Sequence, residues 1–282
     1  MTDPSGFPPP PVAAPVIGIV GGLGRMGRWF EAFLRGEGYE VLVADLATSL
    51  SPEDLAARCD VVILAVPMEA FGEVAARVGP RMREAAFLTD LCSLKAPQVA
   101  VMLEAARCEV AGTHPLFGPG ETEAAGLRVA LCPGRGEVWI RWWEGVFRRR
   151  GVQTVVLSAE RHDRAMAWVQ ALNHFILVAL GQAAAETTAA ELCDIAALAT
   201  PSFQRQVEIL ARLAQQDPAL YAAIQGGNPH AAAVLDRFCG KAERLRALLA
   251  AGDMEGFGRC FRAAQALGAR LAKGCGRIPG EG

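Results

Sequence analysis

The stretch GTHPLFGPGE, residues 112–121, places one of the four histidines of the chain among Gly and Pro residues. We interpret the overlapping run EVAGTHP as a strand, with His114 just past the regular part of that strand, at the rim where α/β sheets bind ligands. A neutral imidazole there can accept a proton, because the ordinary pKa of histidine is about 6.5. The pattern predicts a general base at His114, with a structural loop histidine as the alternative.

A glycine-rich loop near the start of the chain is the second feature with chemical meaning. Gly22, Gly24 and Gly27 have the spacing G-x-G-x-x-G, between the apolar run VIGIV and a helical pattern in RWFEAFLRGEG. In this context such glycines allow a tight turn, close approach of a pyrophosphate and close packing of helix on strand. A turn without a ligand is the alternative. The candidate cofactor-binding residues are Gly22, Leu23, Gly24, Arg25, Met26, Gly27, Asp45, Val66 and Pro67.

Asp45 ends the next predicted strand, EVLVAD, and lies 23 residues after Gly22. A carboxylate at this position accepts hydrogen bonds from the ribose hydroxyls of a dinucleotide and repels a 2′-phosphate. The sequence therefore predicts NAD as the cofactor, with NADP disfavoured. A plain polar residue at a strand end is the alternative interpretation of Asp45.

The elements that position these residues follow from the apolar patterning. The runs VIGIV, EVLVAD, DVVILAVP, AFLTDLC, EVAGTHP, RVALCPG and VQTVVLS predict strands up to about residue 158. Their alternation with helices predicts an α/β fold with a Rossmann-type, doubly wound parallel sheet. Ala- and Leu-rich stretches with period 3.6 then predict an all-helical dimerisation domain. The expected division is a disordered or extended Pro-rich tail at 1–15, a dinucleotide-binding domain at 16–158, a helical domain at 159–275 and a frayed GRIPGEG end.

The first helix of the second domain, predicted at residues 161–185, is apolar on several faces. One small domain cannot easily bury all of it, so a homodimer is expected. His174 lies on this helix, four residues after Gln170 and on the same face, where a histidine is usually a core residue. We interpret His162 and Asp163 at its start as structural capping or an interdomain contact. His230, after GGNP, is expected in a surface loop.

The composition restricts the partners. Hydrophobic residues make up 52% of the 282 residues, charged residues 21%, and the net charge is −2. Without a basic stripe, nucleic acids and anionic membranes are poor candidates. Eight single cysteines without a C-x-x-C pair support no zinc or redox motif, so no metal site is expected. Reduced thiols and an N-terminus without a signal-peptide pattern indicate a cytoplasmic protein.

Six segments in a fixed order carry a resemblance to a known family. They are IGIVGGLGRMGRWF, DVVILAVP, TDLCSLK, GTHPLFGP, HDRAMAWVQALNHFILVALG and ILARLAQQDPALY. Together, over about residues 16–261, they resemble prephenate dehydrogenases of aromatic amino acid biosynthesis. The resemblance implies a Rossmann domain, a dimerising helical domain and oxidation of prephenate with NAD(P) to 4-hydroxyphenylpyruvate and carbon dioxide. No chorismate mutase domain precedes the predicted Rossmann unit, so the dehydrogenase activity alone is expected.

The resemblance also implies roles for individual residues. His114 matches the catalytic histidine of the family, and Ser93 matches its active-site serine. The position of Ser93 before LKAPQV is also typical of an ordinary helix N-cap. Arg212 matches the arginine that binds the ring carboxylate, a role suited to a planar guanidinium. His174 matches a histidine of the substrate pocket. Arg205, seven residues before Arg212, either assists it or forms a solvated ion pair, and Lys95 is expected to support the loop of Ser93.

Three alternatives stay open at the level of the sequence. Some relatives have an acidic residue where this chain has Gly120, and such an acid would favour the ammonium group of arogenate. Its absence favours the keto acid prephenate, while Glu121 and Glu123 keep arogenate or an amino-substituted prephenate open. A β-hydroxyacid or imine reductase would favour a lysine on the long helix, and QALNHF has none. An NAD-binding sensor or scaffold would bind the nucleotide without turnover.

Overall fold

Residues 6–272 are described in a computed structural model of the chain. Within them, seven strands form one sheet in the order β2-β1-β3-β4-β5-β6-β7, and each lies in a run that the sequence predicts. The strands are β1 (Ile17–Val20), β2 (Val41–Ala44), β3 (Val61–Leu64), β4 (Phe87–Asp90), β5 (Glu109–Pro115), β6 (Arg128–Arg135) and β7 (Gln153–Val156).

The sheet is parallel except at one pair, so the predicted doubly wound parallel sheet is confirmed with one antiparallel exception. Strands β5 and β6 run antiparallel, with His114 opposite Ala130. Residues 116–127 join these strands without a helix. A parallel pair needs a crossover, usually helical, of a dozen or more residues, whereas an antiparallel pair accepts a plain loop. Strand β7 is again parallel to β6.

Helices cover both faces of the sheet. They are α1 (Arg25–Gly36), α2 (Pro52–Arg58), α3 (Met68–Val78), α4 (Ala96–Ala105) and α5 (Val138–Arg149), with a 3-10 turn at Gly79–Arg81. Helices α2, α3 and α4 share one buried cluster with strand residues such as Val62 and Leu64. Helices α1 and α5 share the other with Val61 and Ile63. The alternation of neighbouring strand residues between the two clusters follows from the period of two along a strand.

A second group of helices follows β7. They are α6 (Ala159–Met166), a π-helical turn (Ala167–Leu172), α7 (Asn173–Ala185), α8 (Ala189–Ala197), α9 (Pro201–Ala211), a 3-10 turn (Arg212–Gln215), α10 (Pro218–Gly227), α11 (Ala231–Ala250) and α12 (Met254–Ala272). The helix predicted at residues 161–185 is thus a continuous helical segment with a π-helical turn in its middle. Such turns are rare and occur frequently at functional sites.

The described residues fall into two compact units, which divide between Ala231 and Ala232. The predicted boundary at 158 and 159 instead marks where the strands give way to helices. The frayed GRIPGEG end lies outside the described residues. Residues 6–15 of the Pro-rich tail form neither helix nor strand and bend at residues 11–14, and the ring of Phe7 lies 5.6 Å from the Arg148 guanidinium on α5. Within residues 6–272, no helix is long and apolar enough to cross a membrane.

Candidate active site

The loops after β1 and β3 lie at the point where the strand order reverses. Strand β1 is flanked by β2 on one side and β3 on the other, and all three are parallel. Ligands of open α/β sheets bind in the crevice that such a reversal leaves beyond the carboxyl ends of the strands. The glycine-rich loop follows β1, and Val66 and Pro67 follow β3 at the start of α3.

The glycine-rich loop fits a pyrophosphate by its packing. Gly21 has φ +81°, and a Cβ atom on Gly22 would lie 2.5 Å from Cγ1 of Val43. A Cβ atom on Gly27 would press on the backbone of Gly21 and Gly22. Helix α1 begins after Gly24, and no side chain of residues 6–272 caps its first N–H groups. Those free N–H groups and the helix dipole form a site for an anion.

Asp45 holds the glycine-rich loop as well as the end of β2. Its Oδ2 accepts a hydrogen bond from the backbone N–H of Leu23 at 2.9 Å, and its Oδ1 accepts one from Leu46 at 2.7 Å. The side chain is half-buried. Because each carboxylate oxygen has two lone pairs, both oxygens keep a position for a hydroxyl donor. Asp45 therefore combines a loop contact with the place predicted for a ribose contact.

His114 lies inside strand β5, so its interpretation as a loop residue is wrong. The side chain is buried, with 3% of the residue exposed. Burial, followed by the neighbouring His162 and Lys95, lowers the pKa of His114 well below the ordinary value of 6.5. The imidazole is therefore neutral around pH 7 and available as a proton acceptor.

A line of hydrogen bonds runs from His114 to helix α6. Nδ1 of His114 lies 2.8 Å from Nε2 of His162, and Nδ1 of His162 lies 2.7 Å from Oδ1 of Asp163. His162 and Asp163 are both buried. Sequence reasoning did not place His162 and Asp163 among the site residues, although the pair HD at the start of the long helix was the available signal.

Asp163 also caps helix α4. Its Oδ1 accepts a hydrogen bond from the N–H of Lys95 at 2.8 Å, and its Oδ2 accepts one from the N–H of Ala96 at 2.8 Å. Burial acts to raise the pKa of Asp163, but the hydrogen bonds from His162, Ala96 and Lys95 outweigh it and the pKa is lowered. The predicted capping function is thus present, but it serves α4, whereas the Ser158 hydroxyl caps α6 itself.

Ser93 lies half-buried in the loop between β4 and α4. Its alternative interpretation as an N-cap is wrong, because Lys95 occupies that position and the Asp163 carboxylate supplies the capping acceptors. Lys95 supports the loop as expected. Its fully buried ammonium forms an ion pair with Asp90 at the end of β4 and donates to the Thr113 carbonyl at 2.9 Å.

Unpaired polar atoms lie on the helical side of His114. Nε2 of Gln170, on the π-helical turn, is 3.4 Å from Nε2 of His114. His174 stacks on the ring of Tyr221, with centroids 4.0 Å apart, and burial lowers the pKa of His174. Within residues 6–272, Oε1 of Gln170, Nδ1 of His174 and Oε1 of Gln225 are buried without a hydrogen-bond partner. Such atoms are available to bind a polar ligand, since buried polar groups are normally paired.

The two candidate arginines are exposed and have no ion-pair partner among the described residues. Arg205 lies on α9, and Arg212 begins the 3-10 turn that follows it. This turn contacts helix α1, which follows the glycine-rich loop, because the Arg25 guanidinium donates to the Gln215 carbonyl at 3.5 Å. His230 is half-buried, and its Nε2 lies 2.9 Å from the Glu160 carboxylate.

This fold and crevice define a Rossmann-type nucleotide-binding protein with helices appended. Residues 37–156 match the family model "Prephenate dehydrogenase, nucleotide-binding domain", and residues 158–263 match "Prephenate dehydrogenase, dimerization domain". A 4-amino-4-deoxyprephenate dehydrogenase of Streptomyces pristinaespiralis is 30% identical over 92% of this chain and 95% of its own length. The chain belongs to the prephenate dehydrogenase family, whose members act as oxidoreductases.

Two further relatives show how far the similarity extends. The T-protein of Enterobacter agglomerans is 35% identical over 88% of this chain and 65% of its own length. The chain spans 54% to 65% of the length of three of the curated relatives it matches. A prephenate dehydrogenase of A. aeolicus, solved with hydroxyphenyl propionate and NAD⁺, has the same fold, with a TM-score of 0.73 at 20% identity over 93% of this chain and 99% of that one.

Proposed function

We propose that this protein is an NAD-dependent dehydrogenase that converts prephenate into 4-hydroxyphenylpyruvate and carbon dioxide. The observation that carries the proposal is the buried imidazole of His114, at the same edge of the sheet as the nucleotide crevice. A base for an alcohol oxidation must be neutral near pH 7, and burial supplies that condition.

The reaction requires the chain to hold three groups: the substrate hydroxyl, the substrate carboxylates and the cofactor. The substrate hydroxyl at C4 gives its proton to Nε2 of His114 as hydride leaves C4. The ring carboxylate departs as carbon dioxide, the electron pair of the broken bond completes the aromatic ring, and the proton returns from His114 to the phenolic oxygen of the product. NAD, when bound on the glycine-rich loop, would supply the acceptor for this hydride. The chain holds the hydroxyl against the base, holds the substrate carboxylates and holds the cofactor in line, which lowers the barrier by fixing the geometry.

The remaining candidates take supporting roles in this proposal. Ser93 contacts the substrate hydroxyl from the loop after β4, and Arg212 binds the ring carboxylate, with Arg205 assisting. His174 contributes its unpaired Nδ1 to the substrate pocket. The glycine-rich loop would hold the cofactor, with Asp45 available to its ribose hydroxyls and Val66 and Pro67 after β3 as further contacts.

The choice among related substrates is the finer part of the proposal. Gly120 offers no carboxylate to a substrate ammonium, which supports prephenate. The similarity to a 4-amino-4-deoxyprephenate dehydrogenase over nearly its whole length supports the amino-substituted substrate as the second candidate. A probable arogenate/prephenate dehydrogenase of Methanocaldococcus jannaschii, 29% identical, keeps arogenate as a third.

The test is the rate of NADH formation from each pure substrate. Prephenate, arogenate and 4-amino-4-deoxyprephenate are compared at equal low concentrations with saturating NAD, so that the rates report kcat/KM. We expect prephenate to give the highest value. A higher value for either amino substrate would assign the chain to that reaction, and nucleotide binding without turnover of any of the three would contradict the enzyme proposal.

A further inference from the structure

The hydrogen-bonded line Asp163–His162–His114 connects helix α6 to the proposed base. We propose that His162 is a positioning residue that fixes His114 in the tautomer with the proton on Nδ1, which leaves Nε2 free to accept the substrate proton. Asp163 orients His162 and, through the same carboxylate, holds the loop that carries Ser93. This inference rests on the proposed role of His114 as the base.

The proton positions follow from the acceptor at the end of the line. The Asp163 carboxylate receives two backbone N–H groups, from Lys95 and Ala96, and an ionised carboxylate can only accept. Nδ1 of His162, 2.7 Å from Oδ1 of Asp163, must therefore carry a proton. In a neutral His162 the other nitrogen, Nε2, is an acceptor. Nδ1 of His114, 2.8 Å away, then donates to it.

The contact at Nε2, the other ring nitrogen of His114, supports this assignment. The amide nitrogen of Gln170, which is a donor, lies 3.4 Å from Nε2 of His114. A donor at that distance suits an unprotonated nitrogen, and the contact is long enough to be exchanged for a substrate hydroxyl. Second partners of this kind set which ring nitrogen of a histidine carries the proton.

Asp163 connects this line to the other side of the site. Lys95 and Ala96, whose N–H groups it accepts, directly follow the loop of Ser93. The backbone carbonyl of Asp163 is itself held by Nδ2 of Asn228 at 2.8 Å. A displacement of helix α6 would therefore disturb both the imidazole of His114 and the loop of Ser93.

Two substitutions of His162 separate the positioning role from a structural one. The amide nitrogen of His162→Asn lies near the place of Nδ1 and keeps the donor to Asp163, but the side chain is too short to reach His114. The amide of His162→Gln reaches the place of Nε2 and keeps an acceptor for His114. We expect the Asn variant to lose about 10- to 100-fold in kcat, the range for loss of a residue that orients a functional histidine. Its KM should change little, and the Gln variant should lose clearly less kcat.

A readout without turnover tests the tautomer of His114 separately from the proposed function. In protein labelled with ¹⁵N-histidine, the ring nitrogens of His114 show which one carries the proton. We expect the proton on Nδ1 in the wild type and a larger fraction on Nε2 in His162→Asn. His230→Asn is the matched control, since His230 also faces α6 through Glu160 but lies outside the line, and it should leave kcat and the His114 signals unchanged.

The outcomes are distinguishable. A wild-type His114 with its proton on Nε2 would overturn the tautomer assignment even in an active enzyme. Full kcat in the Asn variant with loss in the Gln variant would show that His162 only supports Asp163. A His114 tautomer as expected, in a protein that turns over none of the substrates, would instead contradict the proposed function. Thermal unfolding of each variant identifies any that fails to fold.

Discussion

At the scale of single residues, the buried position of His114 gives the sharpest expectation. His114→Asn keeps some hydrogen bonding but removes the base, so kcat should fall by about 10²- to 10⁴-fold, the usual contribution of general base catalysis. KM should change much less. Steady-state kinetics with prephenate and NAD measure both. Near-full kcat in this variant would move the base elsewhere, and His174 would be the first group to examine.

The pH dependence supplies the control for this substitution. Protonation of His114 removes the base, so kcat/KM of the wild type should fall as the pH decreases through the pKa of His114. Because burial lowers that pKa well below 6.5, the fall should lie below pH 6.5 and activity should be level across neutral pH. The same acidic fall should be absent from the residual activity of His114→Asn.

Arg212 should serve binding more than chemistry. Its guanidinium would offset the ring carboxylate already in the ground state, so Arg212→Ala should chiefly raise KM for prephenate. Loss of a charge-assisted hydrogen bond costs about 1.5–3 kcal/mol, or about ten- to a hundredfold. Arg205→Ala is the matched control from the same helical stretch and should raise KM less. An unchanged KM in Arg212→Ala, with a raised one in Arg205→Ala, would exchange the two roles.

The sequence predicts His114 as the base, but it does not predict the residues that surround His114. Residue type and neighbouring Gly and Pro residues were enough to predict a base. The lowered pKa comes from burial and from His162, which is 48 residues away along the chain. Contacts between residues so far apart depend on how strand β5 and helix α6 pack. No local pattern in either segment could give them.

At the scale of elements, the glycine-rich loop and strand β2 should set the cofactor. Asp45 accepts the N–H of Leu23 and offers its remaining lone pairs toward the crevice, where a 2′-phosphate would meet repulsion. We expect higher kcat/KM with NAD than with NADP. Asp45→Ser should narrow this preference, because it removes the repelling charge and loosens the loop for both cofactors. A wild-type enzyme faster with NADP at equal low concentrations contradicts this assignment of Asp45.

Elements were predictable where their signal is local, and less so where it is not. Ser51 and Pro52 predict the start of α2, and the Ser51 hydroxyl accepts a hydrogen bond from the N–H of Asp54 at 3.1 Å. The start of α4 has Pro97 in its first turn but no local side-chain cap, because its capping acceptor is the distant Asp163. Likewise the direction of β6 depends on what connects it to β5, which apolar runs alone do not specify.

At the scale of the whole molecule, apolar side chains on the helices after β7 face solvent in a single chain. Leu192 and Ile195 of α8, Leu198 after it, and Val207 of α9 are all exposed, Leu198 by 81%. A groove between these helices is lined by further apolar residues, among them Leu180 and Phe203. Exposed apolar patches of this kind mark interaction surfaces.

We expect these helices to form a homodimer, in line with the dimerization-domain family model that residues 158–263 match. Sedimentation of the purified protein at micromolar concentration should give twice the mass of one chain, and Leu198→Asp should shift it toward the monomer, because a buried unpaired charge is costly. Val138→Asp is the control, since Val138 is also exposed but lies on α5. A wild-type monomer at that concentration would contradict the dimer, and equal effects of both variants would place the interface elsewhere.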